Sequence, residues 1–238
     1  MNNQKIIFDW TTNERLSPAS ISEMALYSGL KKRLLMYEKK KTFNNLLFVG
    51  GVGTGKTTAA KILSKVVKRA GEQVRMIDCE QYNTRSKINE LRKSTFTMTL
   101  TGGSRVIVMD EFHEVRKEVQ SVLVKSIEEN AGNTKWIFIV NEEKAVKEQI
   151  RDRCTNLFFD TCELDSKTKK VHFHSDADMN LDKWKKELIR STDFVAEKLG
   201  ITISKKIYDE VCKGKRNLTS MRKFTESVNE RYLLENDD

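Results

Sequence analysis

Leu46-Leu47-Phe48-Val49-Gly50-Gly51-Val52-Gly53-Thr54-Gly55-Lys56-Thr57-Thr58 is the stretch that decides how the chain folds. Its first four residues form a short apolar run that stops at glycine, as a buried parallel strand does. Behind the glycines, Ala59, Ile62, Leu63, Val66, Val67 and Ala70 recur at helical spacing, with lysines between them, until Gly71 offers a C-terminal stop. Strand, glycine loop and helix together are the setting in which this spacing binds a nucleoside triphosphate. A triphosphate carries several negative charges, and backbone N–H groups must reach them without side chains intervening. Gly50, Gly51, Gly53 and Gly55 permit that approach, and the helix behind turns its positive end toward the phosphates. Lys56 is expected to bridge the β and γ phosphates, Thr57 to give a hydroxyl to Mg²⁺, and Val52, Thr54 and Thr58 to complete the cradle.

Downstream, Val74 to Ile77, Val106 to Met109, Trp136 to Val140 and Leu157 to Phe159 read as further buried strands, separated by polar, helix-compatible stretches. Alternating strands and helices predict an α/β domain with a parallel five-stranded sheet over residues 1–160. Cys162 to Asn180 is polar and of mixed charge. Beyond it the apolar residues follow helical spacing only: Leu181, Trp184 and Leu188, then Ile203, Ile207 and Val211, then Met221, Phe224, Val228 and Tyr232. These stripes predict a small all-helical domain over residues 161–238.

Arg105-Val106-Ile107-Val108-Met109-Asp110-Glu111 is a buried strand ending in two adjacent carboxylates, at the edge where ligands sit in a parallel sheet. Neighbouring side chains on an extended end diverge. Asp110 is therefore expected to hold Mg²⁺, and Glu111 to orient and deprotonate the attacking water.

The chain has 238 residues, 38% of them hydrophobic, enough to bury a core, and 43 Lys+Arg against 34 Asp+Glu leave a net charge of +9. Such a field attracts polyanions, nucleic acid among them. Four cysteines are scattered, the N-terminus lacks the pattern of a secretory signal, and no apolar run approaches a bilayer span, so a cytoplasmic protein with reduced thiols is expected. Cys154, Cys162, His172 and His174 include possible zinc ligands, but no Cys-x-x-Cys knuckle is present and no zinc site is expected.

With the phosphate loop and acidic strand end in place, the chain resembles the AAA+ ATPases of the sliding-clamp-loader type, the small subunits of replication factor C and their phage counterparts. Lys32-Arg33-Leu34-Leu35-Met36-Tyr37 is similar to the family's approach to its phosphate loop, Asp110-Glu111-Phe112-His113 to its Asp-Glu-x-x box, and Ile139-Val140-Asn141 to its strand-terminal sensor asparagine. Ile150-Arg151-Asp152-Arg153-Cys154 resembles its Ser-Arg-Cys motif, with Asp152 in place of the serine. Thr219-Ser220-Met221-Arg222-Lys223 resembles its second-sensor motif, with both leading residues changed.

The resemblance implies that Glu111, Asn141, Arg153 and Arg222 act in ATP hydrolysis with Mg²⁺, Arg153 reaching the γ-phosphate held by a neighbouring subunit. It implies a homo- or hetero-oligomer that grips a sliding clamp and primer-template DNA when ATP binds and releases them on hydrolysis. Thr84-Arg85-Ser86-Lys87 and Arg116-Lys117 stand at helix starts that correspond to the DNA-gripping ones, so Arg85, Lys87, Arg116 and Lys117 are the expected phosphate contacts. Asn13 to Pro18 only loosely resembles the adenine-side motif, and no C-terminal collar domain is apparent. A helicase loader shares the phosphate loop, acidic box and basic surface and stays open, as does a nucleotide-bound adaptor without turnover. If the chain is phage-encoded, its compartment is the host cytoplasm.

Overall fold

In the computed structural model the described residues are 16–67, 74–96, 105–129, 134–165, 167–168, 170–173 and 179–236. Asn13 to Arg15, Ala70, Gly71 and His174 lie outside them. The chain forms two units: Met1–Lys32, Val52–Gly55 and Asp160–Asp238 group together, as do Arg33–Gly51 and Lys56–Phe159. The division at residue 160 read from the sequence therefore misses that the stretch before Arg33 groups with the helices.

In the sheet unit, β1 (Leu46–Val49) is buried along its whole length. It runs parallel between β4 (Thr134–Val140) and β5 (Thr155–Phe158). Next to β4 lies β3 (Arg105–Asp110), and outermost β2 (Val74–Asp78), all parallel in the order β2-β3-β4-β1-β5. An apolar run without polar alternation suits β1, β3 and β4 because helices cover both faces of such a sheet. Those helices include α2 (Lys56–Val67), α3 (Arg85–Phe96), α4 (Lys117–Glu129) and the single turn α5 (Glu148–Arg151). One core gathers Leu47, Ile107, Met109, Phe112, Leu123, Trp136 and Phe138. Phe112 and Phe138 meet at 4.7 Å and tilted, an aromatic pair that adds about 1 kcal/mol to its area burial.

Register then fixes the site. Val49 pairs with Val140 and Met109 with Phe138, so the C-terminal ends of β1, β3 and β4 lie side by side. Gly50 N–H continues the ladder to Val140 C=O at 3.2 Å.

The helical unit corrects the expectation of an all-helical domain. It opens with β6 (Cys162–Leu164) and β7 (Val171–Phe173), paired antiparallel with Cys162 opposite Phe173. Two apolar residues per strand are too few to show an alternating period among mixed charges. The turn between them is held by Asp165 Oδ1, which accepts from the Lys167 and Thr168 N–H groups.

Three helices follow, α6 (Leu181–Leu199), α7 (Lys205–Lys213) and α8 (Met221–Asn236). Asn180 caps α6 by accepting from Lys183 N–H at 2.9 Å, and Gly200 at φ 70° ends it in the left-handed conformation. Ser204 caps α7, so Ile203 precedes that helix and packs from outside it. Trp184, Leu188, Ile207, Val211, Phe224 and Val228 make the core, joined by Leu16 and Ala25 from the N-terminal stretch. Trp184 Nε1 donates to Leu218 C=O at 2.8 Å, which satisfies the one polar atom of a buried indole. Further along α6, Arg190 donates to Met24 C=O, Ser191 to Glu23 C=O, and Glu187 pairs with Lys31 of α1 (Ser28–Lys40) at 2.8 Å. Among the described residues no helix is long and apolar enough to cross a membrane.

Candidate nucleotide site

The phosphate loop needs its glycines for two separate reasons. Gly53 and Gly55 have φ of +79° and +94°, where side chains are strained. At Gly53 space is lacking as well, within the helical unit: a Cβ there would come 2.7 Å from the Arg222 Cβ, whereas one at Gly55 would meet only the mobile terminal methyl of Met24. Val52 is largely exposed.

In the sheet unit the first turn of α2 carries Lys56 and Thr57. Lys56 is buried, yet its ammonium donates to Gly50 C=O and, at 2.7 Å, to Gly51 C=O, and stands 3.4 Å from Asn141 Oδ1. Thr57 Oγ1 donates to Asp110 Oδ2 at 3.0 Å. The other oxygen of Asp110 accepts from Glu111 N–H at 3.0 Å, so the carboxylate at the end of β3 is oriented at both oxygens.

Glu111 has φ 52° and ψ 40°, the left-handed region, with no glycine to relieve it. Non-glycine residues are sterically strained there, and such strain collects at functional sites. The turn after it, Phe112–Glu114, seats Phe112 in the core and His113 beside Asn141. Asn141 follows directly on β4. Its side chain faces Lys56 and His113 rather than capping the next turn, whose N-cap is Glu142.

Arg153 is not brought to these groups. Its guanidinium, on the exposed turn after α5, pairs with Glu128 and donates to Gln149 C=O at 2.6 Å. Arg222, second residue of α8, is exposed and lies off the buried Phe224 and Val228 face, with its Cβ beside Gly53.

The basic helix starts come together. Asn83 Oδ1 accepts from Arg116 N–H at 3.0 Å, tying the start of α4 to the turn ahead of α3. Arg85, Lys87, Arg116 and Lys117 are all exposed there.

Sequence reasoning missed Gln120. It is fully buried on α4, where it donates to Val115 and Ala145 C=O and accepts from Lys147 N–H, fastening the segment that follows Asn141. Nothing in the local pattern marks it, because a glutamine beside an apolar stripe reads as surface. His113 reads in the sequence only as the last letter of the acidic box.

The cysteines are free thiols. Burial, with Asp110 and Asp78 nearby, pushes the Cys79 thiol well up. Burial raises Cys154 to about 12 and, with Asp160, Cys162 to about 11. Cys162 donates to Leu218 C=O, and Cys154 packs on the sheet core. Among the described residues no group of three or more His, Cys, Asp or Glu side chains could hold a metal ion.

Residues 46–161 match the ATPase family associated with various cellular activities (AAA). The replication factor C small subunit of Thermofilum pendens is 28% identical over 145 residues, 59% of this chain and 45% of the relative, and that of Natronomonas pharaonis is 26% identical over 144 residues, 59% and 44%. The chain thus spans about half the length of the curated relatives it matches. Among solved structures, the Thermotoga maritima RuvB Holliday junction branch migration motor superposes with a TM-score of 0.69 at 18% identity, covering 93% of this chain and 67% of that one, a likeness of fold alone. The glycine loop after β1, the paired carboxylates after β3 and the asparagine after β4 all lie within residues 46–161, the stretch that matches the AAA family, and the fold they sit on is that of an AAA+ P-loop domain.

Proposed function

We propose that this chain is an ATP-hydrolysing subunit of a DNA sliding-clamp loader, working in the cytoplasm as part of a homo- or hetero-oligomer. ATP binding grips the clamp and primer-template DNA, and hydrolysis releases them. The observation that carries the reading is the convergence of Lys56, Thr57, Asp110 and Asn141 at adjacent strand ends, in a domain whose relatives are replication factor C small subunits.

In this reading the N–H groups of Gly50 to Thr58 line the phosphates, and Lys56 exchanges its carbonyl partners for the β and γ phosphates. Mg²⁺, which takes one or two carboxylates together with substrate phosphates, suits the Thr57 hydroxyl and Asp110 carboxylate, and when bound it neutralises charge developing on the phosphates. Glu111, at the end of β3 next to Asp110, takes the proton of the attacking water. Asn141 holds the γ-phosphate side with Lys56, and Arg222 serves the chain's own nucleotide, a role supported by its place against Gly53. Arg153, exposed and engaged with Glu128 and Gln149, acts on the nucleotide of a neighbouring subunit, where its fork stabilises the transferring phosphoryl group.

Residues 160–238 carry equal numbers of basic and acidic side chains, so the entire excess of +9 lies in residues 1–159. That favours DNA along Arg85, Lys87, Arg116 and Lys117, contacts that read backbone rather than sequence. Radiolabelled ATP turnover with and without primed DNA tests the reading. Turnover that primed DNA stimulates supports it; ATP binding without turnover leaves an adaptor, and co-purification with a helicase instead of a clamp makes it a helicase loader.

A further inference from the structure

Asn141 stands between a cation and an imidazole. Its Oδ1 is 3.4 Å from Lys56 Nζ, and its Nδ2 is 3.4 Å from His113 Nε2. Charge decides which end of the amide faces which neighbour. An ammonium offers only donors, so the carbonyl oxygen belongs on Lys56, and the amide NH₂ is left facing His113. Nε2 must then accept, which puts the ring proton on Nδ1.

The same Nε2 lies 3.5 Å from Glu114 Oε1, an acceptor. One ring nitrogen therefore has a donor on one side and an acceptor on the other. With a lone pair it serves Asn141; with a proton it serves Glu114. On the far side of the ring Nδ1 is buried and has no hydrogen-bond partner among the described residues, so no second bond from them anchors the ring against that choice. Position is supplied by the chain: His113 sits in the Phe112–Glu114 turn, with Phe112 locked against Phe138 of β4, two residues before that strand ends ahead of Asn141.

We propose that His113 is a positioning residue for Asn141: its neutral Nε2 accepts from the amide, keeps the carbonyl oxygen turned to Lys56, and so sets the pair that meets the γ-phosphate. The inference rests on the ATPase reading above. Losing the imidazole frees the amide to rotate, which disturbs the reacting end of the nucleotide more than its binding. Misplacement of a positioning group by about 1 Å lowers turnover by up to roughly 100-fold.

The test is steady-state ATP hydrolysis by the full chain and its variants, with nucleotide affinity measured separately by a fluorescent ATP analogue and folding by thermal melting. H113F, which keeps a ring but offers no acceptor, is expected to lower kcat by about tenfold or more while KM and nucleotide affinity change less than about twofold. H113Q, whose amide oxygen can accept the same bond, recovers most of that loss. In the N141A background, H113F lowers kcat no further, because the group it positions is gone. Wild-type kcat in H113F, H113Q no better than H113F at equal melting temperature, or losses that multiply in the double variant would each overturn the inference. A wild-type protein that binds no ATP would overturn the ATPase reading and this inference with it, whereas an active wild type with an unaffected H113F overturns the inference alone.

Discussion

Thr57 Oγ1 donates to Asp110 Oδ2 at 3.0 Å, joining the first turn of α2 to the end of β3 across 53 positions of the chain. A hydroxyl and a carboxylate held this close can share one octahedral cation. Thr57→Val removes the oxygen at nearly constant shape. Wild-type protein is expected to bind ATP more tightly with Mg²⁺ than with a chelator, and Thr57→Val to shrink that difference by about tenfold or more. Titration of a fluorescent ATP analogue under both conditions measures it; an unchanged difference would remove Thr57 from the metal's surroundings.

Glu111 holds a left-handed backbone that glycine adopts freely. Glu111→Gly and Glu111→Ala both remove the carboxylate, so neither should turn over ATP. Their stabilities should differ, with glycine more stable than alanine by about 1 kcal/mol, because only alanine keeps the Cβ clash. Urea denaturation of the two variants reads the difference directly. Equal midpoints would mean that the strain is not carried at this residue.

Arg85, Lys87, Arg116 and Lys117 lie on two helix starts joined by the Asn83 to Arg116 bond. DNA binding should be independent of sequence and fall steeply with salt. Replacing the four by alanine should flatten the slope of log affinity against log salt by up to about 3 to 4 units, since each phosphate that the protein no longer neutralises on duplex DNA removes about 0.9. Fluorescence anisotropy on primed DNA checks this, and an unchanged slope would move the DNA surface elsewhere.

The parts of the fold that are legible in the sequence are those written in local pattern. The run Leu46 to Val49 before the glycines, the apolar strand ending in Asp110-Glu111, and the stripe of Trp184 and Leu188 need no distant residue to be read. The strand order is not legible, because nothing in Leu46 to Val49 says that its neighbours are roughly 90 and 110 residues away, and pairing register is a tertiary property. The β6 and β7 hairpin is hidden by its length and charge. Gln120 and His113 escape for a related reason. Their meaning lies in partners supplied by other segments, Ala145 and Lys147 for the one and Asn141 for the other, and side-chain identity alone does not announce a partner.

Arg153 and Glu111 are proposed to act on different nucleotides, one across a subunit interface and one within the chain. Arg153→Ala should bind ATP and be nearly inactive, since an arginine finger is worth about three to five orders of magnitude in turnover. Mixing Arg153→Ala with Glu111→Gln subunits should restore some activity, because an interface can pair an intact Glu111 on one chain with an intact Arg153 on the next. A mixture as inactive as its parts, under conditions where subunits exchange, would exclude a composite site.

Lys56 and Glu111 are proposed to serve one ATP in two separable ways, and nucleotide affinity measured beside turnover for two variants tests this most directly. Lys56→Ala removes the cation now held by Gly50, Gly51 and Asn141 and is expected to abolish ATP binding. Glu111→Gln keeps the cradle and loses only the base, so it should bind ATP as the wild type does and fail to hydrolyse it. Wild-type affinity in Lys56→Ala, or wild-type turnover in Glu111→Gln, would contradict the proposed division of roles.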